Sequence, residues 1–327
     1  VNVLKRLLGR VDAFQQGHRP AAIAYAVIKK YGQDSASNWA LLIAYYGFAA
    51  LFPLLLVGIT VTGIIFHNDP SLRDRITNTV FAQIPVVGAQ LRTKAGIHAL
   101  TSNSAISFTV GILGLIWGSQ GVASTAQQAM ATVWNVPMTE RPGFIPRTLR
   151  NLGLLGVLAG NVLLTSALAT FTYSASGHDL LRALLILATV GVNLGLYIVG
   201  FRILTPKRVP THELLLGALV AGVAWSVLQQ AGGYLVGREL VHASATYGVF
   251  GLVIGLITWF GLASTVTLYC AELNVTVVRR LWPRALVNPP LTEADKKALE
   301  ALALSQRYRP EQRIRVSFEE ESRESPS

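Results

Sequence analysis

The sequence predicts an all-α, polytopic membrane protein with six transmembrane helices, and three observations carry that reading. From Ala40 to Phe66 the chain has no charged side chain, a run longer than the ~20 apolar residues a helix needs to cross a bilayer. Five more apolar runs follow, so that the expected spans are 40–66, 105–127, 151–173, 183–204, 214–236 and 248–273. Composition agrees: 51% of residues are hydrophobic and 14% are charged, against about 25% charged in soluble domains.

The elements follow in order. Residues 1–39 read as a basic, amphipathic cytoplasmic segment. Pro20 suits the first turn of a helix over Ala21–Tyr31, and Lys29 and Lys30 suit its C-terminal end. Ile23, Val27 and Tyr31 share one face, which predicts a helix lying on the membrane surface. The first 20 residues lack the apolar core of a cleavable signal peptide, so the first span is expected to act as the insertion signal. Pro53 sits mid-span, removes a backbone donor and predicts a kink. In the 67–104 loop, Leu72, Ile76, Val80 and Ile84 recur at helical spacing. They predict one or two short extracytoplasmic helices. Gly156 and Gly160, Gly191 and Gly195, and Gly251 and Gly255 have the spacing that lets membrane helices approach closely.

The membrane domain is expected to cover 40–285. Residues 286–327 form a cytoplasmic tail, largely disordered. Within it Thr292 and Asp295 resemble a capping signal for a short helix through about Leu304. The terminal FEEESRESPS is expected to be disordered.

A net charge of +11 would suggest nucleic acid in a soluble protein. In a membrane protein it is better read as cytoplasmic loops facing anionic headgroups. With both termini inside, 22 of the 28 Lys and Arg residues fall on the cytoplasmic side and 6 on the other. Membrane lipids are therefore the expected partners, nucleic acid is not, and a homo-oligomer stays open. The single cysteine, Cys270, excludes an internal disulfide and a thiolate cluster. No cofactor or metal is expected: the six histidines are scattered and form no HExxH, and there is no GxxxxGK[ST] loop and no GxSxG elbow.

Polar residues at membrane depth are the candidate functional residues, since an unsatisfied polar group in hydrocarbon costs several kcal/mol. They are Tyr45 and Tyr46 in the first span, Gln120 in the second, Asn161 in the third, Asn193 in the fourth, and Gln229 with Gln230 in the fifth. All are expected to face the bundle interior, either as interhelical hydrogen bonds or as the lining of a polar cavity. Glu272 is the only acidic residue inside an expected span. It is read either as a proton-coupling group or cation partner, or as a salt bridge or helix-cap contact near the interface, with Arg147 or Arg150 as partner.

Three segments resemble the YihY/BrkB family of membrane proteins. They are ALLIAYYGFAALFPLLL (40–56), GLIWGSQGVASTAQQAMATVWNVP (114–137) and YGVFGLVIGLITWFGLASTVTLYCAELN (247–274). Cys270 stands where that family usually has glycine. The resemblance covers about residues 20–285 and implies a bacterial cytoplasmic-membrane protein of six spans. It implies no settled activity. Some members are linked to serum resistance or lipid A export, and many carry a ribonuclease BN label whose metal ligands are missing here. It points to Tyr45, Tyr46, Pro53, Glu272 and Asn274 as residues to test. Two functions stand open: transport or translocation of a lipid or amphipathic solute, and a non-transport envelope scaffold or virulence-associated factor. An enzyme is not expected.

Overall fold

The computed structural model describes residues 2–65, 104–174, 179–206, 209–235, 241–287 and 290–318. Nine α-helices and two short 3-10 turns make up the regular structure among these residues. They are α1 (Asn2–Gly17), α2 (Arg19–Gln33), α3 (Ala36–Ile65), α4 (Ser104–Val133), α5 (Phe144–Ser174), α6 (Asp179–Leu204), α7 (Leu215–Leu235), α8 (Val241–Val278) and α9 (Glu293–Ser305). The expected extracytoplasmic helices of 67–104 lie outside the described residues.

The six long helices fall on the six apolar runs, but most extend beyond them. α5 starts at Phe144 and α8 at Val241, each seven residues before the apolar run. Hydropathy marks where a helix meets lipid, whereas backbone hydrogen bonding carries it on into the polar flanks. Among the described residues four stretches are long and apolar enough to cross a membrane: Ile145–Thr172, Asp179–Leu204, Thr211–Gln229 and Val253–Val278. Their outward faces are apolar: Leu163, Leu187, Val227 and Ile254 are all exposed. In water such a surface would drive aggregation; in lipid it is the solvated side.

Helices α3 and α4 pack along each other, and α8 lies across both. Helices α5 and α6 form a second pair, and α7 joins α6 to α8. Close backbone approach falls on glycines other than two of the spaced pairs. A Cβ on Gly118 would meet the Ala50 backbone at 3.0 Å, and one on Gly121 would collide with the Tyr46 ring. Around Gly156, Gly160, Gly191 and Gly195 an added Cβ would meet nothing within 4 Å. The packing role read from their spacing is therefore corrected: those glycines face open space. Helix α3 runs on through position 53 to Ile65.

Helix α2 departs from the sequence reading. Its apolar face carries Val27 (7% exposed) and Tyr31 (8%), and that face packs on α8. Tyr31 stacks on Tyr269 with ring centroids 4.0 Å apart. The stripe that suggested a lipid-facing helix is covered by protein. Helix α9 begins at the expected cap: Thr292 accepts from the Asp295 amide, and Asp295 returns a bond to the Thr292 amide.

Candidate functional site

The site is built where the end of α2 meets α8 and the last turn of α4. On α2 the residues Ala26, Val27, Lys30 and Tyr31 share the buried face, so the helical period that buries Val27 also buries a lysine. Lys30 is 2% exposed, Asp34 5% and Glu272 0%. The ammonium directs its three N–H groups at three acceptors: Asp34 Oδ2 at 2.5 Å, the Val133 carbonyl at 2.7 Å and Glu272 Oε2 at 2.9 Å. Val133 is the last residue of α4, so Lys30 also satisfies a C-terminal carbonyl that the helix cannot pair itself. Burial alone would lower the Lys30 pKa. Glu272 and Asp34 outweigh that effect, and it is raised.

Glu272 thus pairs with Lys30 and not with Arg147 or Arg150. Its second oxygen, Oε1, is buried without a partner, as are Asn274 Nδ2 and Thr276 Oγ1 nearby on α8. Asn274 is fully buried, and its Oδ1 accepts the Gly217 amide at 3.1 Å. Only glycine fits at 217, because a Cβ there would lie 2.6 Å from Asn274 Cβ.

A second cluster links α4 to α5. Gln127 donates to Asn151 Oδ1 at 2.6 Å, and Asn151 donates to Gln120 Oε1 at 2.5 Å. Gln127 Oε1 is buried and unpartnered. Gln127 and Val133 lie about 9 Å apart along the helix axis, so both polar clusters gather in the last turns of α4.

The other candidates do not join them. Tyr45 is 61% exposed on the outer side of α3, which corrects the expectation that it faces inward; its phenol suits a wet or headgroup-level surface. Tyr46 is half-buried, packed on Gly121 and edge-on to Tyr45. Asn193 is buried on α6, while Asn161 and Gln229 are half-buried on α5 and α7. Among the described residues no hydrogen bond carries these three to the Glu272 cluster. The side chains of Pro53 and Gln230 lie outside the described residues. Lys30, Asp34 and Asn151 were missed by sequence reasoning. A lysine on the apolar stripe of an amphipathic helix, with an acid four residues on, was the available signal.

The terminal segments are tied beside the site by a second carboxylate. Asp295, 1% exposed, accepts from Lys29 Nζ, Arg284 Nε, and the Ala285 and Thr292 amides at 2.5–3.3 Å. Burial alone would raise its pKa. The amide of Ala285 and the side chains of Arg284 and Lys29 hold it well below the usual carboxylate range. Helix α1 joins through Gln15, which donates to the Arg284 carbonyl, and through Asp12, which accepts the Leu286 amide.

Apolar helices with buried ion pairs and interior amides define a helical membrane protein. The chain matches the family model described as virulence factor BrkB over residues 27–291, and it belongs to that family. Lys30, Asp34 and Glu272 all lie inside the matched range. It is similar to an uncharacterized protein of Dickeya dadantii, 25% identical over 264 residues, covering 74% of this chain and 79% of that one. It is also similar to YhjD, an inner membrane protein of Escherichia coli, 23% identical over 300 residues and covering 81% and 84%. A third relative is YfkH of Bacillus subtilis, whose name calls it ribonuclease-like, 20% identical over 250 residues and covering 73% and 88%. No solved structure matches the chain significantly.

Proposed function

We propose that this is a six-span protein of the bacterial cytoplasmic membrane, with α3 to α8 as the spans and both termini cytoplasmic, that moves or handles a lipid or similar amphipathic solute. The observation that carries this reading is the placement of polarity. The long helices present apolar faces outward, and one group of buried polar side chains gathers toward one end of α4 and α8, apart from Asn161 and Asn193. There Glu272 Oε1, Asn274 Nδ2 and Gln127 Oε1 are buried without protein partners. Orphaned polar atoms at such depth cost roughly 1–3 kcal/mol each, which a purely structural bundle would avoid. Apolar flanks with a polar cluster at one end suit a molecule with a tail and a headgroup. With no phosphate-loop motif in the sequence, movement is passive, gradient-driven or driven by a partner.

The test is reconstitution into liposomes containing fluorescent phospholipids, followed by leaflet-to-leaflet movement. Wild type should exceed empty vesicles, and Glu272→Gln should fall below wild type. Movement equal to the empty control across several lipid classes would remove the reading.

A scaffold for envelope assembly is the second reading, favoured by the clasp that fixes α1, α2 and α9 together. Deleting 305–327 should abolish a scaffold that binds through its tail and spare lipid movement. Among the described residues no group of three or more His, Cys, Asp or Glu is placed to hold a metal.

A further inference from the structure

Lys30, Asp34 and Glu272 put two acids against one base in a place closed to water. All three N–H groups of Lys30 are used. With every group ionised the cluster carries one excess negative charge, and the partial negative end of α4 at Val133 adds to it. Burying an uncompensated charge costs several kcal/mol. One proton on Glu272 removes the excess, and Oε1 is the oxygen free to take it. A hard metal cation asks for six or more oxygen ligands. Here only Oε1 and the Thr276 hydroxyl one turn on are unpartnered.

The two acids also belong to different bodies. Asp34 follows α2 and stands four residues from Lys30, so that pair is neutral wherever α2 goes. Glu272 belongs to α8, and without Lys30 it is a lone buried carboxylate. We propose that Glu272 is a proton-binding site that latches α2: the ionised carboxylate holds Lys30 against α8, and one proton taken from cytoplasmic water at Oε1 frees it. Lys30 keeps its own proton and its bond to Asp34, and gives up its bonds to Glu272 and to the Val133 carbonyl as α2 moves. Ser35, with φ 50°, lies in the two-residue link between α2 and α3, where such a movement would hinge. The inference goes beyond the lipid reading and does not depend on it.

Other groups face the cluster as follows. Helix α2 adds Tyr31, and α8 itself adds Tyr269 and, two turns on, Arg279 over the Trp134 ring. Helices α3, α4 and α7 carry no Asp, Glu, Lys, Arg or His. The short turn before α7 carries His212 and Glu213. In the other charged tie on α2, Lys29 to Asp295, the carboxylate stays ionised between pH 5 and 8, because Asp295 is held below its usual value.

The experiment is a spin-label distance between Gly32→Cys, an exposed position with open space around it, and Leu262→Cys on α8, in a Cys270→Ser background. The protein is held in nanodiscs of phosphatidylethanolamine and phosphatidylglycerol and frozen at steps from pH 8 to pH 5. A longer-distance population should grow about tenfold per pH unit on the alkaline side of its midpoint, as one-proton linkage requires. Glu272→Gln should show that population at pH 8 at the wild-type pH 5 level. Asp34→Asn removes the excess charge and should move the midpoint more than one unit lower. His18→Gln should leave it unchanged. A single pH-independent distance in wild type would overturn the latch, and so would an unaltered titration in Glu272→Gln. A shift on exchanging sodium for potassium at fixed pH would assign the site to a metal cation instead. A working latch without lipid movement would sink the transport reading alone.

Discussion

Asp295 and Glu272 are both buried carboxylates, yet one is surrounded by donors and the other is not. Asp295 has Lys29 and Arg284 on one oxygen and two backbone amides on the other. Glu272 has Lys30 on one oxygen and nothing on the other. A saturated carboxylate has nowhere to put a proton and acts as a fixed charge. A half-satisfied one can exchange its charge for a proton at modest cost. The clasp around Asp295 therefore holds a fixed charge, whereas the α2–α8 junction keeps one carboxylate oxygen without a partner.

The largest expected effect breaks the fixed side. Asp295→Ala leaves Arg284, fully buried, without its counter-charge, and should cost about 3 kcal/mol or more. Thermal unfolding in detergent measures it, and limited proteolysis should show α9 released first. Next comes Lys30→Met, which leaves Asp34 and Glu272 facing each other without a cation. It should cost roughly 2–3 kcal/mol at pH 8 and less at pH 5, where protonation relieves the repulsion. An equal cost at both values would contradict the exchangeable character of Glu272.

The pH response should separate the two regions without mutation. The Asp295 pKa is depressed from 3.8. Its stabilisation is therefore fully present above that value and is lost only as pH falls below it toward the depressed one. Protection of α9 amides from exchange should hold unchanged from pH 8 to pH 5, while protection at the end of α2 should fall. The smallest effect is Glu272→Gln, which loses the charged bond to Lys30 together with the excess negative charge and should cost about 1 kcal/mol, measured as a small shift in unfolding temperature.

Much of the fold was legible because lipid imposes a one-dimensional rule: a long uncharged run becomes a helix. The capping pair Thr292 and Asp295 was legible for the same reason, since all its geometry is local. The site was not. Lys30 and Glu272 are separated by 242 residues, and nothing within a helical window says which distant helix a lysine will meet. Glu272 was singled out because an acid in an apolar run is rare; its partner was sought among arginines close to the membrane surface. Lys30 was instead assigned to the dipole at its own helix end, and it serves the end of α4. The glycine pairs misled because spacing is a local pattern, while close approach at Gly121 and Gly217 depends on what stands opposite.

The clasp also sets an order of events in synthesis. Asp12 bonds the Leu286 amide and Lys29 bonds Asp295, across 274 and 266 residues of chain. At about 5–20 residues per second, the first helices wait roughly 14 to 55 s for their partners to leave the ribosome. Until then Lys29 and Lys30 have no Asp295 or Glu272 to meet. Closure of the clasp thus records that translation has passed residue 295, and a truncated chain would carry two loose basic helices open to proteolysis.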